Sequence, residues 1–129
     1  MKNAVVLGLI VLSIAGCEPS GSRNFAVPIN TQRKLDTWTD LNEDCSSRGQ
    51  TVLRLTALPS HGKVEFRYGE DYPYYEKDNV RVICNKKSVE GTMVWYNPDA
   101  GYAGADSLSI SVLFPSGDSR DMTYSITVR

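Results

Sequence analysis

The sequence has few of the features that mark an enzyme or a helical protein. It contains one histidine and three cysteines in 129 residues. It lacks the H-E-x-x-H, G-x-S-x-G and glycine-rich phosphate-loop motifs. After residue 16, no stretch sustains the helical spacing of apolar residues. His61 stands beside Ser60 in a predicted turn, with no arrangement typical of a catalytic triad. These absences predict an all-β protein that is not an enzyme.

A basic surface and a long hydrophobic run are also absent. The chain has 14 Lys and Arg residues against 15 Asp and Glu, for a net charge of −1. A nucleic-acid-binding protein needs a clear basic footprint, so we expect no nucleic-acid partner. The apolar run from Ala4 to Ile14 is shorter than the roughly 20 residues that cross a bilayer. It therefore does not predict a membrane-spanning helix.

The N-terminus has the shape of a secretory signal peptide. Lys2 precedes the apolar run, and two small residues stand directly before Cys17. The ending Ile14-Ala15-Gly16-Cys17 resembles a bacterial lipobox, which implies cleavage before Cys17 and attachment of a lipid to its sulfur. The alternative is an ordinary signal peptide. The expected organisation is a signal peptide over 1–16, a lipidated Cys17 with a polar tether over 17–24, and a folded domain over 25–129.

If Cys17 carries a lipid, Cys45 and Cys84 remain as a pair. An exported protein enters an oxidising compartment, where disulfides persist. A metal site is the alternative, but two cysteines and the distant His61 lack the spacing of metal ligands. The sequence therefore predicts a Cys45–Cys84 disulfide, no metal site and no cofactor.

Short segments with alternating apolar residues recur along the chain between turn-forming residues. The pattern predicts strands near residues 50–58, 63–68, 79–84, 92–96, 106–114 and 122–128. Residues 25–41 are ambiguous: an edge strand over 25–29 and a strand over 34–40 are preferred, but the three-residue spacing of Leu35, Trp38 and Leu41 also fits a helical turn. About seven strands with a turn every 8–12 residues are typical of an antiparallel Ig-like β-sandwich. The predicted core consists of Leu53, Leu55, Val64, Phe66, Val82, Leu108, Ile110, Val112, Tyr124, Ile126 and Trp95.

The segments Leu58–Val64 (LPSHGKV) and Met93–Leu108 (MVWYNPDAGYAGADSL) are rich in corner-forming residues. They resemble bacterial Ig-like/cadherin-like domains of the tandem-95 and VCBS type, which carry a P-x-H-G-x-hydrophobic corner and a Y-x-P-x-x-x-Y-x-G-x-D-S-F-x-Y stretch. The resemblance covers about residues 50–129 and implies a sandwich fold. Here Leu108-Ser109-Ile110 replaces F-x-Y, and a single copy has no inter-repeat calcium site. We expect Asp99 or Asp106 to accept backbone N–H bonds in the corner, so that both carboxylates are structural; the alternative is a metal role.

A tyrosine-rich loop is the best candidate for a binding surface. It contains Tyr68, Tyr72, Tyr74 and Tyr75, and tyrosine is enriched at interfaces because it offers a large contact area with a polar tip. The alternative is that these rings pack over the end of the sandwich. The acidic residues before Cys45 and around Glu70 lack the spacing of a calcium loop, so we expect them to be solvated.

Together these patterns indicate a lipid-anchored protein of the bacterial envelope that acts as a non-catalytic protein-binding or assembly module. Its partners would be the membrane, through the lipid on Cys17, and an unknown envelope protein. Glu18 is not the Asp that signals inner-membrane retention in enteric-type sorting, and by resemblance to that rule we expect an outer-membrane location. The alternatives are an envelope enzyme inhibitor or immunity protein, and an accessory lipoprotein of a secretion or pilus machine.

Overall fold

The computed structural model describes residues 20–129, which form two sheets packed face to face as a sandwich. The four-stranded sheet has the order β1-β7-β6-β3, and the three-stranded sheet has the order β2-β5-β4. A short 3₁₀ helix, Val82–Lys86, precedes β5. The strands are β1 Ser20–Val27, β2 Arg33–Trp38, β3 Val52–Ala57, β4 Gly62–Asp71, β5 Val89–Pro98, β6 Gly104–Leu113 and β7 Ser119–Val128.

The segment predicted to be the signal peptide, Cys17 and residues 18–19 lie outside the described residues. Within residues 20–129, no helix has the length and the apolar character needed to cross a membrane.

The N-terminal strand corrects two sequence-based predictions. Residues 20–24 were expected to belong to a flexible tether, but they are the first half of β1. This strand pairs with β7 in parallel, from Ser20 opposite Asp121 to Val27 opposite Val128. The other paired strands are antiparallel, so the expected antiparallel sandwich holds except at this edge. Backbone hydrogen bonds stabilise the polar start of β1, which has no apolar pattern of its own.

The core lies between the two sheets and follows the alternation expected from the sequence. Leu108, Ile110 and Val112 of β6 are buried, as are Tyr124 and Ile126 of β7. Leu53, Leu55, Val64 and Phe66 were also predicted to be core residues, and they pack against this cluster while partly buried. Alternation places the intervening serines and threonines of β6 and β7 on the outer face of the four-stranded sheet.

Trp95 was predicted to lie in the core but points away from it. Its neighbours Val94 and Tyr96 are fully buried, and because side chains alternate along a strand, Trp95 faces outward. The guanidinium of Arg67 lies 4.5 Å from the centre of its ring. The tryptophan that packs in the core is instead Trp38 of β2, which has 7% of its surface exposed.

The prediction of a strand over 79–84 was wrong. The chain there forms turns and then the 3₁₀ helix. Val82 was expected in the core but is 38% exposed. Cys84 is fully buried and forms the predicted disulfide with Cys45. With Leu41, and with Tyr75 and Val89 partly buried against it, the disulfide makes a second small apolar cluster. The disulfide therefore joins the β2–β3 loop to the segment before β5.

Candidate functional site

The two segments that resemble the Ig-like family meet at Asp106. Its Oδ1 accepts a hydrogen bond from the backbone N–H of Ser60 (2.9 Å), and its Oδ2 accepts one from that of His61 (3.1 Å). The hydroxyl of Tyr96 donates to the same Oδ2 (2.7 Å). The ring of His61 stacks on Tyr102 with 4.0 Å between ring centres. Asp106 and His61 therefore hold the β3–β4 turn against the start of β6.

The environment of Asp106 favours its charged form. Burial opposes ionisation of the carboxyl, but hydrogen bonds from the Tyr96 hydroxyl and from three backbone N–H groups outweigh it, so the pKa of Asp106 lies below its usual range. Asp99, the other acidic residue of the motif, holds the corner through its backbone: its N–H donates to the carbonyl of His61 at 2.9 Å, and its carbonyl accepts from the N–H of Tyr102 at 3.1 Å. The contacts between the two family-like segments therefore form a structural corner of the sandwich.

A groove opens along the edge where β1 and β2 lie next to each other. Its larger part has a volume of about 1010 Å³ and lies between the tyrosine-rich loop, β2 and the β6–β7 turn. A smaller part, of about 590 Å³, extends toward β1. Both parts are lined by Arg23, Asp36, Thr37, Tyr74 and Glu76.

The structure separates the four candidate tyrosines into three environments. Tyr72 and Tyr74 are 60% and 72% exposed and line the groove. Tyr75 is partly buried against the disulfide cluster, and its hydroxyl lies 3.3 Å from Oγ1 of Thr39. The hydroxyl of Tyr68 donates a hydrogen bond to Oε2 of Glu90 on the neighbouring strand (2.9 Å), and Tyr68 lines neither part of the groove. The packing alternative holds for Tyr75, while Tyr72 and Tyr74 present their rings to solvent.

A buried chain of hydrogen bonds forms the floor of the groove. Nε1 of Trp38 donates to the hydroxyl of Tyr124 (2.9 Å), and that hydroxyl donates to Oδ2 of Asp36 (2.8 Å). Arg23 of β1 completes the chain with an ion pair of 2.8 Å to Oδ1 of Asp36. Because Asp36 and Trp38 belong to one sheet and Arg23 and Tyr124 to the other, the chain fixes the two sheets to each other.

The carboxyl of Asp36 is held differently from that of Asp106. Burial raises the pKa of Asp36 above its usual range, even though Arg23, the Tyr124 hydroxyl and the Thr37 N–H favour the charged form. Arg23 and Asp36 were not among the residues expected at a functional site. Their contact joins strands from two sheets, and no local pattern in the sequence indicates such a pairing.

The wall that carries Tyr72 and Tyr74 is anchored at both ends. At the start, the carboxylate of Asp71 bonds the side chains of Lys34 and Thr37. At the end, the Tyr75 N–H donates to Oδ1 of Asn85 (2.8 Å), and Nδ2 of Asn85 donates to the Tyr75 carbonyl (2.9 Å). The exposed rings are thus held on a short loop with fixed ends.

The acidic residues before Cys45 serve local roles. Oδ1 of Asp44 accepts hydrogen bonds from the N–H (3.0 Å) and the hydroxyl (2.5 Å) of Ser46, and Asp40 lies 4.0 Å from Arg48. In the part of the chain that the structure describes, no three His, Cys, Asp or Glu side chains are grouped as a metal site would require.

Comparison with known proteins gives no family. No protein-family profile matches the chain, and no curated protein sequence matches it. Among solved structures, amebosin in solution aligns over 88% of this chain and 100% of its own, at 9% identity and a TM-score of 0.48. PbICP-C, in complex with falcipain-2, aligns over 91% of this chain and 95% of its own, at 9% identity and a TM-score of 0.38. At these scores the likeness carries no argument about the chain.

Proposed function

We propose that this chain is a lipid-anchored, Ig-like binding module of the bacterial envelope. It engages a protein partner through the groove beside the tyrosine-rich loop, and it is not an enzyme. The lipobox-like sequence supports a lipid on Cys17, and Glu18 at the next position supports an outer-membrane location. The Ig-like assignment is supported by the two-sheet sandwich and by the corner at Asp106, where both family-like segments meet.

One observation carries the proposal, which is the exposure of Tyr72 and Tyr74 on an anchored loop. A tyrosine that only covers the core is buried, as Tyr75 largely is, but these two rings are 60% and 72% exposed. Large aromatic side chains with a polar tip contribute strongly when a partner buries them. Their fixed loop also lowers the entropy lost on binding.

The floor of the groove supports recognition more than chemistry. Asp36 is its most buried carboxylate, and its oxygens already accept hydrogen bonds from Arg23, Tyr124 and the Thr37 N–H. A general base needs an oxygen within reach of a substrate proton. Here the carboxylate instead keeps the groove's shape, so that a partner meets a preformed surface.

The test is photo-crosslinking in intact cells with a crosslinking residue at position 74. We expect one specific product, because a partner in the groove must lie against this ring. The matched control places the crosslinker at Thr56, an exposed residue of β3 that lines neither part of the groove. The same product from both positions, or none from position 74, would contradict the proposal.

The identity of the product distinguishes the classes of function. A soluble envelope enzyme would indicate an inhibitor or immunity protein, and a membrane-embedded complex would indicate an accessory lipoprotein. Tyr74→Ala should reduce partner capture at least tenfold, as expected for an interface hot spot. It should leave the free energy of unfolding within about 0.5 kcal/mol of the original, because the ring is exposed.

A further inference from the structure

The second surface of interest is the free edge of β4, on the side of the three-stranded sheet away from β2. Its register with β5 runs from Gly62 to Asp71 without a shift. In contrast, β2 and β3, which are edge strands too, each contain a register shift that interrupts the edge. The remaining edge strand, β1, is bridged to β2 by the bond from Arg33 to the Ala26 carbonyl. β4 is therefore the longest uninterrupted edge.

This edge has unused hydrogen-bonding groups. β4 pairs only with β5, and across residues 20–129 no other element bonds to its backbone. Alternate residues of an edge strand point their N–H and C=O groups away from the sheet, and such a row is a template for another strand. Proline, which would remove a donor, does not occur in β4.

The side chains of β4 are self-complementary. The row on the outer face carries Lys63, Glu65 and Arg67, with charges that alternate in sign. The row on the inner face carries Val64, Phe66 and Tyr68, which stand opposite the inward-facing Tyr96, Val94 and Thr92 of β5. An antiparallel pairing about a two-fold axis at Phe66 sets Glu65 of each copy opposite Arg67 of the other. It also sets Val64 of each copy opposite Tyr68 of the other and continues the apolar row.

Other registers are less favourable on the same grounds. An axis at Arg67 would place this residue opposite itself, and an axis at Glu65 would do the same with two carboxylates; like charges directly opposite each other destabilise a strand pair. A shift by one residue would bring the apolar row of one copy onto the charged face of the other. The axis at Phe66 avoids both penalties and pairs residues 62–70, whereas an axis at Val64 avoids them too but pairs only residues 62–66.

We propose that two copies of this chain associate through β4, with an antiparallel pairing centred on Phe66 that joins their three-stranded sheets into one continuous sheet. The strand order β2-β5-β4 puts β2, which lines the groove, at the opposite edge of the sheet, and the pairing centred on Phe66 covers residues 62–70, short of Asp71, the β4 residue that lines the groove. Both grooves therefore stay open in the dimer, which would present two binding sites at the membrane surface. The dimer does not depend on the function proposed for the groove.

Charge exchange tests the pairing. The experiment uses the exported chain with Cys17→Ser, so that a lipid adds no association, and measures the monomer–dimer constant by sedimentation velocity. Glu65→Arg alone and Arg67→Glu alone should each weaken the dimer at least tenfold, because each sets like charges opposite each other twice. An equimolar mixture of the two variants should recover dimer, since both cross-strand pairs become opposite in sign again.

The mixing experiment distinguishes the effect of ion pairs between two copies from the effect of the ion pair within one strand. Each single variant also loses its internal ion pair between Glu65 and Arg67, which measures 2.8 Å, and mixing does not restore that pair. Recovery on mixing can therefore come only from contacts between copies. A chain that stays monomeric at about 1 mM, or a dimer that neither variant weakens, would overturn the proposal.

Cysteine crosslinking tests the register. Opposite residues of an antiparallel pair have Cα atoms about 4.5–5.5 Å apart, within the range that a disulfide spans. Glu65→Cys and Arg67→Cys, mixed under mild oxidation, should form a covalent dimer. Neither variant alone should do so, because each new cysteine then faces a charged residue. Crosslinking of either variant with itself at the same yield would show a different interface.

Discussion

At the scale of single residues, two buried carboxylates hold the molecule together in different ways. Asp106 accepts hydrogen bonds from three backbone N–H groups and from Tyr96, and its pKa is lowered. Asp36 lies between the two sheets, and burial raises its pKa despite its contact with Arg23. Folding thus lowers the pKa of Asp106 and raises that of Asp36.

The first prediction concerns the dependence of stability on pH at Asp106. A group whose pKa is lower in the folded state than in the unfolded state stabilises the fold above its unfolded pKa, near 3.9. This contribution is lost as the pH falls through the folded value. Asp106→Asn should therefore lower the free energy of unfolding by about 1–3 kcal/mol at pH 7. The difference should shrink below about pH 4.

Urea unfolding between pH 2 and pH 7 provides the measurement, with Asp99→Asn as the control. Asp99 is exposed and holds the same corner through its backbone, so the control should be close to the original protein at every pH. A constant difference between Asp106→Asn and the original protein across this range would contradict the linkage.

At the scale of elements, the sequence predicted the strands whose apolar alternation coincides with pairing to at least one neighbouring strand. β6 and β7 lie within the four-stranded sheet, and their alternation was sufficient to place Leu108, Ile110, Tyr124 and Ile126 in the core. The alternation at Val80 and Val82 had no paired strand to support it, and that segment became turns and a 3₁₀ helix. The prediction for the start of β1 was wrong in the opposite sense: residues 20–24 have no apolar alternation, but backbone pairing with β7 makes them part of a strand.

The second prediction concerns the segment between β4 and β5, which contains no strand. Its second half is held by the Cys45–Cys84 disulfide, by the Tyr75–Asn85 pair and by the bond from Nε of Arg81 to the Leu41 carbonyl (2.7 Å). The disulfide spans 39 residues. Cys45→Ser with Cys84→Ser should lower the free energy of unfolding by up to about 4 kcal/mol on the chain-entropy account.

Hydrogen exchange locates the effect of that double substitution. Amide protons of residues 72–87 should lose protection first, because no ladder holds them, while β6 and β7 should remain protected up to global unfolding. The reduced original protein is the control and should behave like the double variant. Uniform loss of protection over all strands would show instead that the disulfide stabilises the molecule as a whole.

At the scale of the whole molecule, the corner could be found from the sequence and the groove could not. The corner lies in two segments with a recognisable pattern, and Asp99 or Asp106 was expected to accept backbone hydrogen bonds. The groove combines Arg23, Asp36 and Tyr74, which belong to separate parts of the chain and meet only after both sheets have packed. The tyrosine-rich loop was identified by composition, but what it faces depends on β1, whose first half was expected to be a tether.

The last prediction concerns the N-terminal strand β1, which pairs with β7 and brings Arg23 to Asp36. A chain that begins at Phe25 loses the pairing of residues 20–24 with β7, and it leaves Asp36 without the cation of Arg23. We expect its free energy of unfolding to fall by at least about 2 kcal/mol relative to a chain that begins at Ser20, because a buried carboxylate loses a charged partner and a strand loses its ladder.

Urea unfolding of both chains measures the difference. Arg23→Ala in the chain that begins at Ser20 keeps the pairing with β7 and removes the partly exposed ion pair together with the contact between Arg23 and the Trp38 ring, which should cost about 1 kcal/mol or less. If removing residues 20–24 costs no more than Arg23→Ala, the pairing with β7 contributes nothing and the segment acts as the tether that its composition suggested. If the loss is clearly larger, the N-terminal strand is part of the fold, and the folded domain begins only a few residues after Cys17.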